Sequence, residues 1–600
     1  MSLLGYVYKP LSSPQSIRLL IVQPGSKDDP LACVLEETTL FTHPVYEAIS
    51  YAWGVVKSDI RICGQEDSRV EIPYSLERAL LRFRHQDEPR HLWADSICID
   101  QSNLLERNEQ VKRMGKIYSS ALSVLIWLGD EDEETQLAYN CIEMLSEIPS
   151  RALMQQQISL PGINSPTFNA LRNLLARSWF NRAWTYQESA LARNDNGEKQ
   201  AFIFCGPFVV TAWKMFSMSV SSAYLPSILR HSLSLGNFDS PKYLGTRPKN
   251  ITQRFLDRTS SDTRLLHEIR GIRGTHCSDS RDLVYSILGM DPAGELIEPD
   301  YAKSVEDVFS EFAKTVVKKY RNLDILGHVT TRRRKNYKSQ VGPLPTWVPD
   351  WRDNSSSSSC LHTAEFTTIE GSRSLYQATG TSLVTMLEHS DENELLLLGL
   401  RVDAAQELLE PGPEASYGCF VDQYLAGSGI MNSPLPVGQA ETSRHIYPHT
   451  GDNIRVAFLR LFTLDASVDY NGGRFNVAAH FGKLNNDNYM AQFANTIKRV
   501  KVGRIFCFTK HNRIGLVPDD TKVGDLICLL QGGSVPYILR PAGNKYIFIG
   551  ECVILGLMYG EGLIERRKIV DPAYDGDDIS WLDRLHNEAM PFQAETFCVK

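Results

Sequence analysis

The sequence predicts an α/β protein with several domains: a parallel sheet with helices near the start, a mainly helical middle and a small antiparallel β module at the end. Three observations support this prediction. The chain has 600 residues, which is too many for one hydrophobic core. Apolar runs of strand length alternate with helix-period segments in the first third. Short apolar runs separated by glycine, proline and aspartate crowd the last third.

The same patterns set the expected domain limits. We expect a first domain over residues 1–195, a mainly helical region over 196–350, a linker over 351–390 and a β-rich module over 391–600. The linker prediction depends on five consecutive serines at 355–359, a composition typical of flexible segments.

Three apolar runs of the first third end in residues suited to a ligand-facing edge. They end beside Trp53, Asp95 and Gly129. Because parallel strands deliver their carboxyl ends to one edge of a sheet, we expect these tips to border a single cleft.

Segments with the periodicity of a helix lie between these runs. A stripe of apolar residues from Leu76 to Phe83 predicts a helix with Ser75 as its N-cap, and the segment 105–119 predicts a second helix. An earlier pair of apolar runs, 17–22 and 31–35, is typical of a β-hairpin.

Composition restricts the class of function. The net charge of -8 argues against a nucleic-acid binder, because neutralising phosphate requires a basic surface. No apolar run approaches the ~20 residues that span a bilayer, and the start of the chain lacks the pattern of a signal peptide. The 12 cysteines form no Cys-x-x-Cys pair, so we expect no metal site and no cofactor. A reduced, cytoplasmic protein fits these features.

Four segments carry a specific resemblance. They read YEAISYAWG at 46–54, LWADSICIDQ at 92–101, LIWLG at 125–129 and SWFNRAWTYQE at 178–188. In this order they resemble the fungal heterokaryon-incompatibility (HET) domain, with its core at 46–188. The resemblance implies a role in non-self recognition, in which fusion of unlike hyphae triggers death of the mixed cell. It also implies a protein partner or self-assembly through this domain.

A second resemblance is to TIR domains, and it implies a flavodoxin/TIR-like parallel sheet. Asp95 stands where a TIR strand ends in an acidic residue. The segment 178–188 is similar to the TIR segment Ser-x-Trp-Cys-x-x-Glu, whose glutamate is catalytic in members that cleave NAD. The resemblance therefore implies Glu188 as a catalytic residue and NAD as a possible substrate.

Each candidate residue also has a structural explanation. A carboxylate at Glu188 could stabilise an oxocarbenium-like transition state, or it could pair with an arginine such as Arg182 or cap a helix. Asp95 could face a ligand or organise its loop. Trp53, beside a glycine, could stack on a base.

Tyr51 and Trp184 complete the candidate ligand-binding set. Each of them could belong to the hydrophobic core or face a ligand. Three functions stay open: a signalling module acting through its surfaces, an NAD-cleaving enzyme using Glu188, and an inactive regulatory scaffold.

Overall fold

The structure is a computed structural model, and it divides the chain into two compact units. One unit comprises residues 1–260 with 267–305, and the other comprises 261–266 with 306–600. The structure describes these residues: 5–26, 28–63, 68–147, 161–162, 164–192, 201–215, 218, 274–291, 296–330, 344–353, 376–380, 382–384, 393–409, 446–452, 454–462, 503–571, 574 and 594–600. The serine run at 355–359 lies outside them.

A nine-stranded mixed sheet forms the centre of the first unit, in the order β5-β4-β2-β1-β6-β3-β7-β8-β9. Its strands are β1 Ser16–Val22, β2 Ala32–Thr39, β3 Glu47–Tyr51, β4 Lys57–Ile62, β5 Arg69–Pro73, β6 Arg90–Trp93, β7 Ser123–Trp127, β8 Ala201–Cys205 and β9 Phe208–Thr211.

The middle of this sheet is parallel, as the sequence predicts. Strands β6, β3, β7 and β8 run in one direction, and β3 pairs with β7 along its whole length. The outer pairs β1–β2, β4–β5 and β8–β9 are antiparallel hairpins. The α/β fold class is therefore confirmed, with antiparallel hairpins added around the predicted parallel strands.

Helices cover both faces of this sheet. They are α1 Tyr74–Phe83, α2 Asp95–Cys98, α3 Leu104–Ser120, α4 Thr135–Glu147, α5 Pro166–Leu175, α6 Trp184–Ala190 and α7 Asp282–Tyr285. Phe83 of α1 packs edge-on against Trp127 of β7, with ring centroids 6.0 Å apart. Trp93 of β6 packs edge-on against Tyr118 of α3 at 5.4 Å.

One predicted helix cap is wrong. Ser75 lies inside α1, which begins after Pro73, and its hydroxyl donates to the Ala52 carbonyl at 2.6 Å. The side chain therefore ties the helix to the chain leaving β3. The predicted helix at 105–119 is confirmed by α3, whose N-cap Asn103 accepts from the Glu106 amide.

The second unit contains the β module. Its strands are β10 Leu395–Leu409, β11 Arg504–Thr509, β12 Ile514–Pro518, β13 Leu526–Leu530, β14 Tyr537–Ala542, β15 Lys545–Glu551, β16 Val553–Ile554 and β17 Glu595–Val599. Its helices are α8 Val305–Tyr320, α9 Ile454–Phe462 and α10 Glu561–Val570.

The long strand β10 closes this module into a barrel. It pairs in turn with β17, β13 and β11, and irregularities between Arg401 and Asp403 and between Ala405 and Glu407 let it bend. Through β13, β14, β15 and β17 the pairing returns to β10, so five strands form a ring. This confirms the antiparallel-rich β module that the sequence predicts.

A tryptophan-rich segment joins α8 to the barrel. Trp351 packs edge-on against Phe309 of α8 at 4.9 Å, and the Trp347 indole donates to the Asn393 carbonyl at 3.0 Å. The Thr346 amide donates to the Lys600 carbonyl at 3.0 Å. Among the described residues, no helix is long and apolar enough to cross a bilayer.

Candidate functional site at the carboxyl end of β3

The last residues of β3 send alternate side chains to different polar networks. Ser50 reaches Glu188 of α6, and its hydroxyl donates to the Glu188 Oε2. The same hydroxyl accepts from the Trp179 indole at 2.8 Å. Glu188 is only 1% exposed, so its carboxylate is held inside the domain.

Asp95, the first residue of α2, organises the neighbouring strand tip. The Trp53 indole donates to Asp95, with Nε1 lying 3.1 Å from each carboxylate oxygen. The Ser96 amide donates to Asp95 Oδ1 at 2.8 Å. A carboxylate that accepts a backbone amide in this way fixes the chain where α2 follows β6.

Tyr51 and Arg182 connect the two tips. The Tyr51 hydroxyl donates to Ser96 Oγ at 2.5 Å. The Arg182 guanidinium donates to the Tyr51 carbonyl and lies 6.0 Å from the centre of the Trp53 ring. Three of the five predicted site residues, Tyr51, Trp53 and Asp95, therefore meet in one cluster, which we call the tip cluster together with Ser96 and Arg182.

Burial dominates the electrostatics of this region. Burial raises the pKa of Asp95, and the positive charge of Arg182 partly opposes the rise. Burial also raises the pKa of Tyr118 far above its ordinary value, and the negative charges of Glu188 and Asp95 add to that rise. Both carboxylates therefore act on the same buried phenol.

Trp184 lies elsewhere. It contacts Asp282 of α7, whose carboxylate accepts hydrogen bonds from the Trp184 indole and, at 2.6 Å, from the Tyr301 hydroxyl. The Arg107 guanidinium of α3 lies 3.6 Å from the centre of the Tyr301 ring. Burial raises the pKa of Asp282. These contacts pack the segments at 280–289 and 299–301 against the HET-like core.

The predicted site residues therefore divide into three groups. The tip cluster contains three of them, Glu188 accepts a hydrogen bond from Ser50 instead, and Trp184 contacts Asp282. Sequence reasoning missed Ser50 and Ser96 because a serine beside an apolar run carries no signal of its own. Arg182 was anticipated only as a partner for Glu188.

The geometry of the tip cluster is better suited to binding a partner than to catalysis. Its carboxylate and guanidinium are engaged within the chain, whereas the Trp53 ring is partly exposed to solvent. Trp53 is 41% exposed, Val55 is 96% exposed, and Val56 and Tyr74 are exposed beside them. Among the residues that the structure describes, no group of three His, Cys, Asp or Glu side chains is placed to hold a metal ion.

Two segments of the chain match models of known protein families. Residues 46–188 match the family model described as heterokaryon incompatibility protein (HET). This chain is a HET-domain protein. The matched segment of the HET-domain protein begins one residue before β3 and ends at Glu188, so it holds the whole tip cluster. Residues 466–570 match the family model described as Het-6 beta-barrel domain, and this matched segment contains β11 to β16.

One relative matches nearly end to end. Heterokaryon incompatibility protein 6, OR allele, of Neurospora crassa is 24% identical to this HET-domain protein, over 93% of this chain and 96% of the relative. No solved structure matches the chain. The resemblance to TIR domains stays a prediction.

Proposed function

We propose that this HET-domain protein acts in heterokaryon incompatibility, as a non-self recognition module that triggers death of the mixed cell. One observation carries the proposal: the chain resembles a protein named for heterokaryon incompatibility over nearly the full length of both, and its own HET match spans 46–188. We further propose that it works in the cytoplasm, through a protein partner or through self-assembly.

The geometry favours a signal passed through surfaces. Asp95 is held by Trp53 and Ser96, and Glu188 is held by Ser50. These contacts fix the backbone after β3 and leave Trp53 and Val55 exposed. Exposed aromatic and aliphatic side chains on a fixed backbone are suited to binding a partner, because little conformational entropy is lost.

The second candidate function is NAD cleavage at Glu188. One observation favours it: the Ser50 hydroxyl bonds Glu188 and the next residue, Tyr51, bonds Ser96, so Glu188 and the tip cluster are anchored on consecutive residues of β3. One observation opposes it: a ribose would have to reach a side chain that is 1% exposed and bonded to Ser50.

A fusion assay tests the proposed role. A fungal strain that carries the full chain is fused with a strain that lacks it or carries a divergent allele, and the survival of fused cells is scored by exclusion of a vital dye. Fused cells should die, while fusions of the strain with itself survive. Equal survival in both fusions would exclude a role in incompatibility.

A further inference from the structure

Two rows of like charge lie on the exposed face of the β4–β5 hairpin. In its antiparallel register Asp59 lies opposite Glu71, and Arg61 lies opposite Arg69. All four residues are exposed. Residues directly opposite each other in such a pair share one face. The face therefore carries an acidic row beside a basic row, about 7 Å apart along the strands.

The residues directly opposite each other in these rows repel. Like charges directly opposite each other destabilise an antiparallel pair, whereas opposite charges stabilise it. In the described part of the chain, none of these four side chains forms an ion pair across the diagonal. The two like-charged pairs therefore repel across the hairpin, and no direct ion pair in this part of the chain neutralises them.

The register cannot shift to relieve that cost. The residues between the charges, Ile60, Ile62, Val70 and Ile72, are buried on the opposite face. A slip of one residue would turn these apolar side chains to solvent. The packing of the hairpin therefore holds the two charged rows in place.

The two rows are complementary to a second copy of themselves. A two-fold axis that runs across the hairpin between the rows places the basic row of one copy on the acidic row of the other. The same operation places the acidic row on the basic row, which makes the contact isologous. Four ion pairs can form at once, and each row then directly faces a row of opposite charge.

We propose that the exposed face of the β4–β5 hairpin is a self-association surface, with a second copy of this chain as its partner. This deepens the proposed function, since it names the partner of the HET domain. Each exposed ion pair changes affinity by roughly two- to fivefold. Four pairs together therefore contribute on the order of a hundredfold, and salt weakens them.

Row-reversal variants of the full chain test this surface by sedimentation velocity at low and high salt. The acidic variant is Arg61→Glu/Arg69→Glu, and the basic variant is Asp59→Arg/Glu71→Arg. We expect the wild-type chain to form a salt-sensitive dimer and each variant alone to be at least about tenfold weaker. An equimolar mixture of the two variants should associate again, because an acidic face then meets a basic one.

A fourfold swap, Asp59→Arg/Arg61→Glu/Arg69→Glu/Glu71→Arg, keeps both rows and exchanges their places. It retains the charge pattern within the hairpin, so it tests the surface even where a single-row variant folds poorly. It should dimerise with itself and not with the wild type. The control Lys9→Glu/Lys116→Glu makes the same charge change as the acidic variant at exposed residues elsewhere and should leave the dimer intact.

Three results would overturn the proposal: a wild-type chain that stays monomeric at low salt, a dimer that both row variants retain, or a swap that binds the wild type as well as itself. The fusion assay separates this proposal from the proposed function. A monomeric chain that still kills fused cells removes only the self-association surface. A dimer that depends on the rows but leaves fused cells alive removes only the role in incompatibility.

Discussion

Gly115 of α3 and Gly289 touch through their backbones. A Cβ added to Gly115 would lie 2.8 Å from the Gly289 Cα, and the Gly289 amide donates to the Gln187 side chain at 3.0 Å. Glycine in a helix interior costs about 1 kcal/mol relative to alanine, so its presence in α3 needs a reason. The close approach supplies one: the segment at 280–289 packs directly on α3 and α6.

Substitution of Gly115 by alanine should destabilise the first unit. The clash involves backbone that cannot move aside, and overpacking of this kind costs about 1–3 kcal/mol. Denaturant unfolding measures the loss. Gly162→Ala is the matched control, because nothing lies within 4 Å of a Cβ there. If the two variants had the same stability, the close approach would not constrain the fold.

Removal of Glu106 should cost far more than removal of an exposed ion pair. The Glu106 and Arg18 side chains are 7% and 4% exposed, and Arg18 Nη2 donates to Glu106 Oε2 at 3.0 Å. Glu106→Ala leaves a buried guanidinium without its counter-ion, a loss of about 3–5 kcal/mol.

An exposed ion pair and a double variant provide controls for the Glu106 prediction. Lys112 pairs with Glu298 on the surface, and Lys112→Ala should cost about 1 kcal/mol or less. Arg18→Met/Glu106→Leu should recover most of the stability that Glu106→Ala loses, because no charge is then buried. Equal losses in Glu106→Ala and Lys112→Ala would contradict this account.

The charge of Asp282 should oppose folding at neutral pH. Burial raises its pKa above the ordinary value of 3.8, so the folded state holds the proton more tightly than the unfolded state does. As the pH falls from 7 toward 3.8, the wild type should therefore gain free energy of unfolding relative to Asp282→Asn.

Unfolding of both chains at pH 7 and pH 5 measures this difference. The control is Asp87→Asn, which removes the carboxylate of an exposed aspartate. If the free energy of unfolding of Asp282→Asn rose relative to the wild type as the pH fell, the pKa of Asp282 would be lowered rather than raised.

Nicotinamide release from NAD should be the same for Glu188→Gln as for the wild type. The amide oxygen of the new side chain could still accept from the Ser50 hydroxyl, so the variant keeps the local packing. The measurement is nicotinamide release by the purified full chain. Release by the wild type that Glu188→Gln abolishes would establish the enzyme and replace the surface account.

The elements that were predicted correctly are those with a clear local pattern of apolar residues. The apolar runs predicted β3, β6 and β7, and helical spacing predicted α3. Strand β4, which lies between β5 and β2, was missed because Lys57, Asp59 and Arg61 interrupt its apolar residues. Strands β8 and β9 were missed inside the region predicted to be mainly helical.

The site was harder to predict than the fold. The bond from Ser50 to Glu188 joins residues 138 positions apart, and no local pattern encodes a contact at that separation. Trp53 and Asp95 could be paired in advance because both follow parallel strands that end at one edge. Trp184 could not be assigned, since its contact with Asp282 depends on how the segment at 280–289 packs.

The most direct test compares Trp53→Ala with Glu188→Gln in the fusion assay, with Lys116→Glu as a surface control. If the tip cluster acts by contact, Trp53→Ala abolishes the death of fused cells, whereas Glu188→Gln and Lys116→Glu retain it. The opposite result, death lost in Glu188→Gln and retained in Trp53→Ala, would contradict the claim that this HET-domain protein signals through the surface around Trp53.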